Sequence, residues 1–340
     1  MTKIIKSITI ILCIVITSLV IYGVYKNTFN INLKEVTIKT SKNELHGIVS
    51  MPENTDKKPG LVIFIHGDGP ADASYQEGYY SAWEVLNKNG FATLSWDKPG
   101  IGKSSGDWLN QSMEDRVKET KEAIHWAKNN LDIDESKIGV WGASQGGWVL
   151  PKVMNEEKLV SFGIAVSPAI NWMQQGEYNT VASMKKEGKT KKEIDRKLKQ
   201  RNEINKLLEE EDVEKAYNKY QEMEKNKGNI SLSRWTFIRT NMNVDATEEF
   251  KKINKRLYLI VGGQDINVDV DNTIEGYSKN VNSKLLDIKK LPNADHSMVL
   301  KEYIDMGVGR MILAILNPRV VIDPGYLEKL QEISKTEKLR

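Results

Sequence analysis

Lys137-Ile-Gly-Val-Trp-Gly-Ala-Ser-Gln-Gly-Gly-Trp148 is the stretch whose reading decides the fold. Ile138, Val140 and Trp141 read as a buried strand, which breaks off at Gly142-Ala143-Ser144-Gln145-Gly146, a G-x-S-x-G pattern. The segment from Gly146 to Met154 then suits a helix, with Pro151 tolerable only within its first turn or two. A serine hydroxyl is a poor nucleophile unless it is held clear of its strand. The turn must therefore be tight, and glycines on both sides remove the Cβ atoms that would clash there. Ser144 is the candidate nucleophile. Gly and Ser are common in loops, so the pattern's meaning rests on partners elsewhere in the chain.

Working outward, Leu61-Val-Ile-Phe-Ile65 is apolar throughout, as a strand covered on both faces is, and it ends in His66-Gly-Asp-Gly-Pro70. Phe91-Ala-Thr-Leu-Ser-Trp96 is a second such strand. Between them residues 81–89 have helical spacing, with Gly90 as the stop. Strand, helix, strand implies a parallel sheet. Residues from Leu33 to Val49, turning at 41–44, read as an antiparallel hairpin at its edge. Further strands are expected at 161–166, 256–261 and 285–291. Helices are expected from the Ser112/Asp115 capping box to about Leu131, with Val117, Ile124 and Ala127 inward, and over 300–316, packed on the sheet.

Asp97-Lys-Pro-Gly-Ile-Gly-Lys-Ser104 ends like a phosphate-binding loop, but Asp97 stands where the first glycine belongs. A carboxylate there repels phosphate, which argues against an NTPase. His125, on a helix beside a tryptophan, reads as a packing residue.

The 340 residues carry 49 basic and 46 acidic side chains, a net charge of +3, so no general electrostatic case for nucleic acid exists. The one cysteine, Cys13, excludes a disulfide and a thiolate metal site in the folded part. Residues 7–25 are uncharged and rich in Ile, Val and Leu; as a helix they extend about 28 Å, nearly the depth of a bilayer core of about 30 Å. They read as an uncleaved membrane anchor (1–26) rather than a signal peptide. Lys3 and Lys6 ahead of it place the catalytic domain on the extracytoplasmic side. Residues 174–249 are rich in Lys and Glu, with a capping box at Thr190/Glu193, apolar Ile194, Leu198, Leu207 and Leu208, and a further helix through Val213, Tyr217 and Tyr220 stopping before Gly228. They read as an inserted helical cap that acts as a lid, a solvated hairpin being the plainer alternative. Residues 317–340 read as a tail whose end forms a short amphipathic helix.

A serine nucleophile needs a base, and of His46, His66, His125 and His296 only His296 follows the elbow in a loop after a core strand. The base needs a carboxylate to fix its tautomer. Asp265, at a strand end, is the candidate, with Asp269 and Asp271 weaker. The order Ser144, Asp265, His296 is that of α/β-hydrolases.

On His66-Gly-x-Gly-Pro70, Asp97-x-x-Gly-x-Gly-x-Ser104, Gly142-x-Ser-Gln-Gly-Gly147, Gly263-x-Asp265 and Asp295-His296, residues 33–316 resemble the α/β-hydrolase superfamily, within it the bacterial esterases of the prolyl-oligopeptidase-like, serine-aminopeptidase-like group. The resemblance implies an α/β fold, a mostly parallel sheet with helices on both faces, and an oxyanion hole formed by the backbone N–H groups of Asp68 and Gln145. Members often carry Ser or Gly at the place of Asp68 and Arg at that of Lys98. An inward-pointing Asp68 carboxylate would oppose the developing charge. The expected activity is hydrolysis of carboxylic esters through an acyl-enzyme, without a cofactor, on a small ester or short peptide. A peptidase or amidase with the same triad, or a non-catalytic surface binding module, is the alternative.

Overall fold

The computed structural model describes residues 2–53, 57–223 and 230–339. Eight strands, β1 (Asn32–Lys39), β2 (Glu44–Met51), β3 (Gly60–Ile65), β4 (Phe91–Trp96), β5 (Ile138–Ala143), β6 (Val160–Val166), β7 (Arg256–Gly262) and β8 (Leu286–Leu291), form one sheet in the order β1-β2-β4-β3-β5-β6-β7-β8. The β1–β2 and β2–β4 pairings are antiparallel and all the others parallel. The parallel strands put their C-terminal ends on one edge, where ligand sites of open α/β sheets form.

Helices α1 (Thr2–Asn27), α2 (Tyr80–Lys88), α3 (Met113–Asn130), α4 (Gly146–Glu156), α5 (Trp172–Lys186), α6 (Lys191–Glu209), α7 (Val213–Met223), α8 (Leu232–Asn241), α9 (Thr247–Phe250), α10 (Val270–Asn280), α11 (Lys301–Ile304), α12 (Val308–Leu316), α13 (Pro318–Val321) and α14 (Pro324–Lys338) complete it. Side chains alternate along a strand, so β3 feeds two cores. Leu61, Ile63 and Ile65 join Val117 and Ile124 of α3 and Val149 and Leu150 of α4 on one face. Val62 and Phe64 join Trp83 and Leu86 of α2 and Leu330 and Ile333 of α14 on the other. Each such side chain contributes about 1.5–3 kcal/mol by leaving water. Residues 317–340 are thus no free tail, because α14 completes a core face.

The capping boxes at Ser112/Asp115 and Thr190/Glu193 both form. The cap contains two helices that the sequence pattern did not announce, α5 and α8, opened by Asn171 and Ser231 as N-caps. It has its own core of Leu207, Leu208, Ala216, Tyr220, Trp235 and Met242. Tyr217 and Tyr220 lie tilted against Trp235 inside the cap rather than on the sheet. Gly228 lies outside the described residues. The cap meets the core through Trp172, stacked on Trp148 at 4.9 Å between centroids, and Phe237, against Trp108 at 5.3 Å.

Residues 300–316, expected as one helix on the sheet, are two, α11 and α12, and α12 packs against α1 instead. Gly307, at φ 51°, separates them. α1 is apolar and long enough over Thr9–Asn27 to cross a membrane, with a mean hydropathy of 2.0; an anchor and a signal sequence share that property.

Candidate active site

Ser144 stands between β5 and α4 at φ 50°, the left-handed conformation a nucleophile elbow requires. A Cβ on Gly142 would meet Gly146 O at 2.9 Å and one on Gly146 would meet Ile65 O at 2.5 Å, so glycine at both positions lets the turn close. The turn is held by Ser144 N donating to Val166 O (3.0 Å) and Gly147 N to Ser144 O (2.8 Å).

Asp265 follows β7 and His296 follows β8, and the two side chains meet: His296 Nδ1 lies 2.7 Å from Asp265 Oδ2. The other carboxylate oxygen, Oδ1, accepts from the amides of Asn267 (2.7 Å) and Val268 (2.9 Å), and Tyr178 of α5 donates to the Asp265 carbonyl at 3.2 Å. Among the described residues His296 Nε2 has no hydrogen-bond partner and none joins Ser144 Oγ to it. The structure therefore joins Asp265 to His296, and sets Ser144 on the same sheet edge without a direct bond.

The remaining histidines are committed elsewhere. His46 sits between Asp97 (2.9 Å) and Glu35 (3.1 Å), and His125 against Glu157 (2.9 Å). His66 is buried, its Nε2 2.7 Å from Trp96 O and its Nδ1 3.0 Å from Tyr79 Oη. A carbonyl only accepts, so Nε2 carries the proton. Burial, and then the nearby Lys98 charge, lowers its pKa to about 3. The unfolded chain takes up a proton near pH 6.5 that the native state refuses, so stability falls as pH drops from 6.5 towards 3, by roughly 1.4 kcal/mol per unit. Urea melts between pH 7.5 and 4.5 should show this slope. It should shrink by that amount in His66→Gln, whatever that variant's starting stability.

The alternative acids are engaged too. Asp269 caps α10 through Asn272 N, and Asp271 pairs with Lys290 at 2.9 Å. At the loop resembling a phosphate cradle, Asp97 itself takes the amides of Ala73 (2.7 Å) and Lys103 (3.1 Å), which leaves no nest for a phosphate.

The amides of Asp68 and Gln145 have no acceptor among the described residues. The Asp68 carboxylate turns to the cap: Arg234 Nη1 of α8 donates to it at 2.8 Å, with Nη2 on the second oxygen, and Gln145 Nε2 adds a bond at 3.1 Å. Burial pushes this carboxyl up, but the Arg234 guanidinium bonded to it prevails and holds its pKa below the usual value. Gln145 Oε1 in turn accepts from buried Arg116 (2.8 Å), which also donates to His66 O (2.6 Å).

Lys98 is the residue whose role sequence reasoning missed. Its buried ammonium donates to Gly67 O (2.6 Å) and Gly69 O (2.8 Å) above the Trp108 ring. Gly67 C=O and Asp68 N–H belong to one trans peptide plane and point opposite ways. Fixing the carbonyl on Lys98 therefore aims the amide away from Lys98. The signals available were a basic residue two positions after a core strand and the arginine that members of the resembled family often carry there.

A family model described as serine aminopeptidase, S33, a hydrolase family, matches residues 56–302, well over half of the chain. The chain belongs to this family, within the α/β-hydrolases. Among curated relatives it is 28% identical over 118 residues to a polyketide transferase of a Penicillium species, and 26% identical over 128 residues to a probable dipeptidyl-aminopeptidase B of Penicillium rubens. These stretches are 34% and 35% of this chain but only 39% and 14% of those relatives. Among solved structures, an esterase of Pyrococcus furiosus aligns with a TM-score of 0.52 at 22% identity over 84% of this chain and 89% of that one. Est1E of Butyrivibrio proteoclasticus, with ferulic acid bound, aligns at 0.52 and 18% over 84% and 98%. At such identities the likeness speaks for the shared fold.

Proposed function

We propose that this α/β-hydrolase is a membrane-anchored serine hydrolase that cleaves carboxylic esters through an acyl-enzyme, with α1 as the anchor and the rest of the chain extracytoplasmic. The 2.7 Å bond between Asp265 and His296, on the sheet edge where the elbow presents Ser144, carries this reading. Ser144 Oγ attacks the acyl carbon and its proton passes to His296 Nε2; the imidazolium is stabilised by Asp265. The tetrahedral oxyanion receives the amides of Asp68 and Gln145. Collapse expels the alcohol with the proton from His296, and a water, deprotonated by the same nitrogen, releases the acid and restores Ser144. The substrate is a small ester. The family's aminopeptidase description favours a second reading, a short peptide cleaved by the same groups, in which His296 protonates an amine.

Labelling by a fluorophosphonate probe, lost in Ser144→Ala, tests the nucleophile; turnover of parallel ester and aminoacyl-anilide panels separates the two readings. An unlabelled, folded chain would rule out both.

Lys98 acts as a positioning residue. Lys98→Met should lower kcat by up to the roughly 10²–10³-fold that loss of an oxyanion donor costs, and leave KM nearly unchanged. Lys98→Arg, which keeps donors for both carbonyls, should recover most of it. A loss confined to KM, or no rescue by arginine, would show that Lys98 only packs the loop.

A further inference from the structure

Residues 301–320 leave the core and return to it at one stem. Leu300 N donates to Val321 O (2.9 Å), Lys301 N to Asn293 O (2.7 Å) and Asp323 N to Met298 O (2.8 Å), and Val299 bridges Ile322. His296 lies in the loop that forms this stem. The excursion carries α12, Val-Gly-Arg-Met-Ile-Leu-Ala-Ile-Leu, whose only charged residue is the basic Arg310. Val308, Met311, Ile312 and Ile315 fall at i, i+3, i+4 and i+7, one stripe of a helix, yet they face away from the protein, 71%, 64%, 52% and 64% exposed. A stripe of this kind normally lies against a core, and one left open marks a binding surface.

What stands beside it identifies the occupant. α12 packs on the last turns of α1, where Gly23 is buried and a Cβ would meet Leu316 Cδ2 at 2.8 Å. Gly23 precedes the end of α1 by four residues, about 6 Å, and an interfacial helix seats its apolar face about 5–10 Å into the headgroup–acyl boundary. Tyr22, Tyr25 and Lys26 occupy that level, the residue types that mark a membrane surface. Arg319 fixes the height: it donates to Lys26 O (2.5 Å) and Thr28 O (3.0 Å), lies 3.9 Å over the Phe29 ring and pairs with Glu84 of α2 at 3.0 Å.

We propose that α12 lies in the interfacial layer of the bilayer beside α1, its apolar stripe toward the acyl chains, so that lipid covers this face. The proposal rests on α1 spanning the membrane. It makes the stem at His296 a second attachment point and holds the catalytic edge of the sheet close to the lipid surface.

Cys13, the single cysteine, supplies a reporter for the anchor. The full chain in phosphatidylcholine vesicles would carry the environment-sensitive fluorophore NBD either on Cys13 or, in a Cys13→Ser background, on Ile312→Cys. Both probes should emit at blue-shifted wavelengths and be quenched by spin-labelled lipid, the Ile312→Cys probe more strongly by a label near the headgroup than by one deep in the acyl chain. A quenched Cys13 probe with a water-like, unquenched probe at 312 overturns the proposal and leaves the anchor standing. A blue-shifted probe at 312 that no lipid label quenches also overturns it, because a second protein copy then covers the face. Quenching at 312 without quenching at Cys13 removes the anchor, and with it the placement of α12 beside a spanning α1.

Discussion

Ser144→Ala is expected to lower kcat by about 10⁶-fold while the protein melts at the same temperature. In the proposed mechanism the hydroxyl is the nucleophile, so its removal takes away the attacking atom. The backbone of the turn, by contrast, is held through the Ser144 amide and carbonyl, to Val166 O and from Gly147 N, and these bonds survive loss of Oγ. Alanine at φ 50° carries about the same left-handed strain as serine, so the fold has no reason to move. What remains should be the roughly 10³–10⁴-fold acceleration over water that an oxyanion hole and substrate binding give alone. Initial rates on a short-chain ester, beside a thermal melt by circular dichroism, decide it. A folded variant turning over near the parental rate would remove Ser144 as the nucleophile.

The elbow was legible in the sequence because its constraint is local. Two glycines around Ser144, an apolar run before and a helix-compatible run after are all that the geometry needs. That Asp265 and His296 meet was legible because strand ends in a parallel sheet share one edge, so chain order stands in for distance. The contacts that cross the molecule were not. Arg234 lies 166 residues from Asp68, in a helix whose only local mark is Ser231. Lys98 stands where members of the resembled family often carry Arg, but what it holds shows only when the carbonyls of Gly67 and Gly69 are seen to converge on it. The 3.6-residue period of Val308–Leu316 announces an apolar stripe but not what covers it. A sheet is the commonest cover for such a stripe, and here the sheet face is already filled by Leu330 and Ile333 of α14, which lie in a stretch that the sequence alone presents as a tail.

Asp265→Asn is expected to cost about 10⁴-fold in kcat with the geometry of the site unchanged. An asparagine can in principle turn either end toward the imidazole, but here it has no choice. Oδ1 of Asp265 accepts from two backbone amides, Asn267 N at 2.7 Å and Val268 N at 2.9 Å, and an NH₂ group in that place would face two donors. The asparagine oxygen must stay there, so its NH₂ points at His296 Nδ1. That nitrogen then becomes an acceptor, the ring proton moves to Nε2, and the atom that should take the proton from Ser144 is already protonated. The imidazolium also loses the carboxylate that stabilises it. Because the cause is a tautomer rather than a lost contact, the rate should recover in part as pH rises and Ser144 ionises without help, while the parent's rate levels off. A pH–rate profile from pH 6 to 10, with the melting temperature alongside, measures this. A variant that is folded and loses less than about tenfold at pH 7 would place the orienting acid elsewhere.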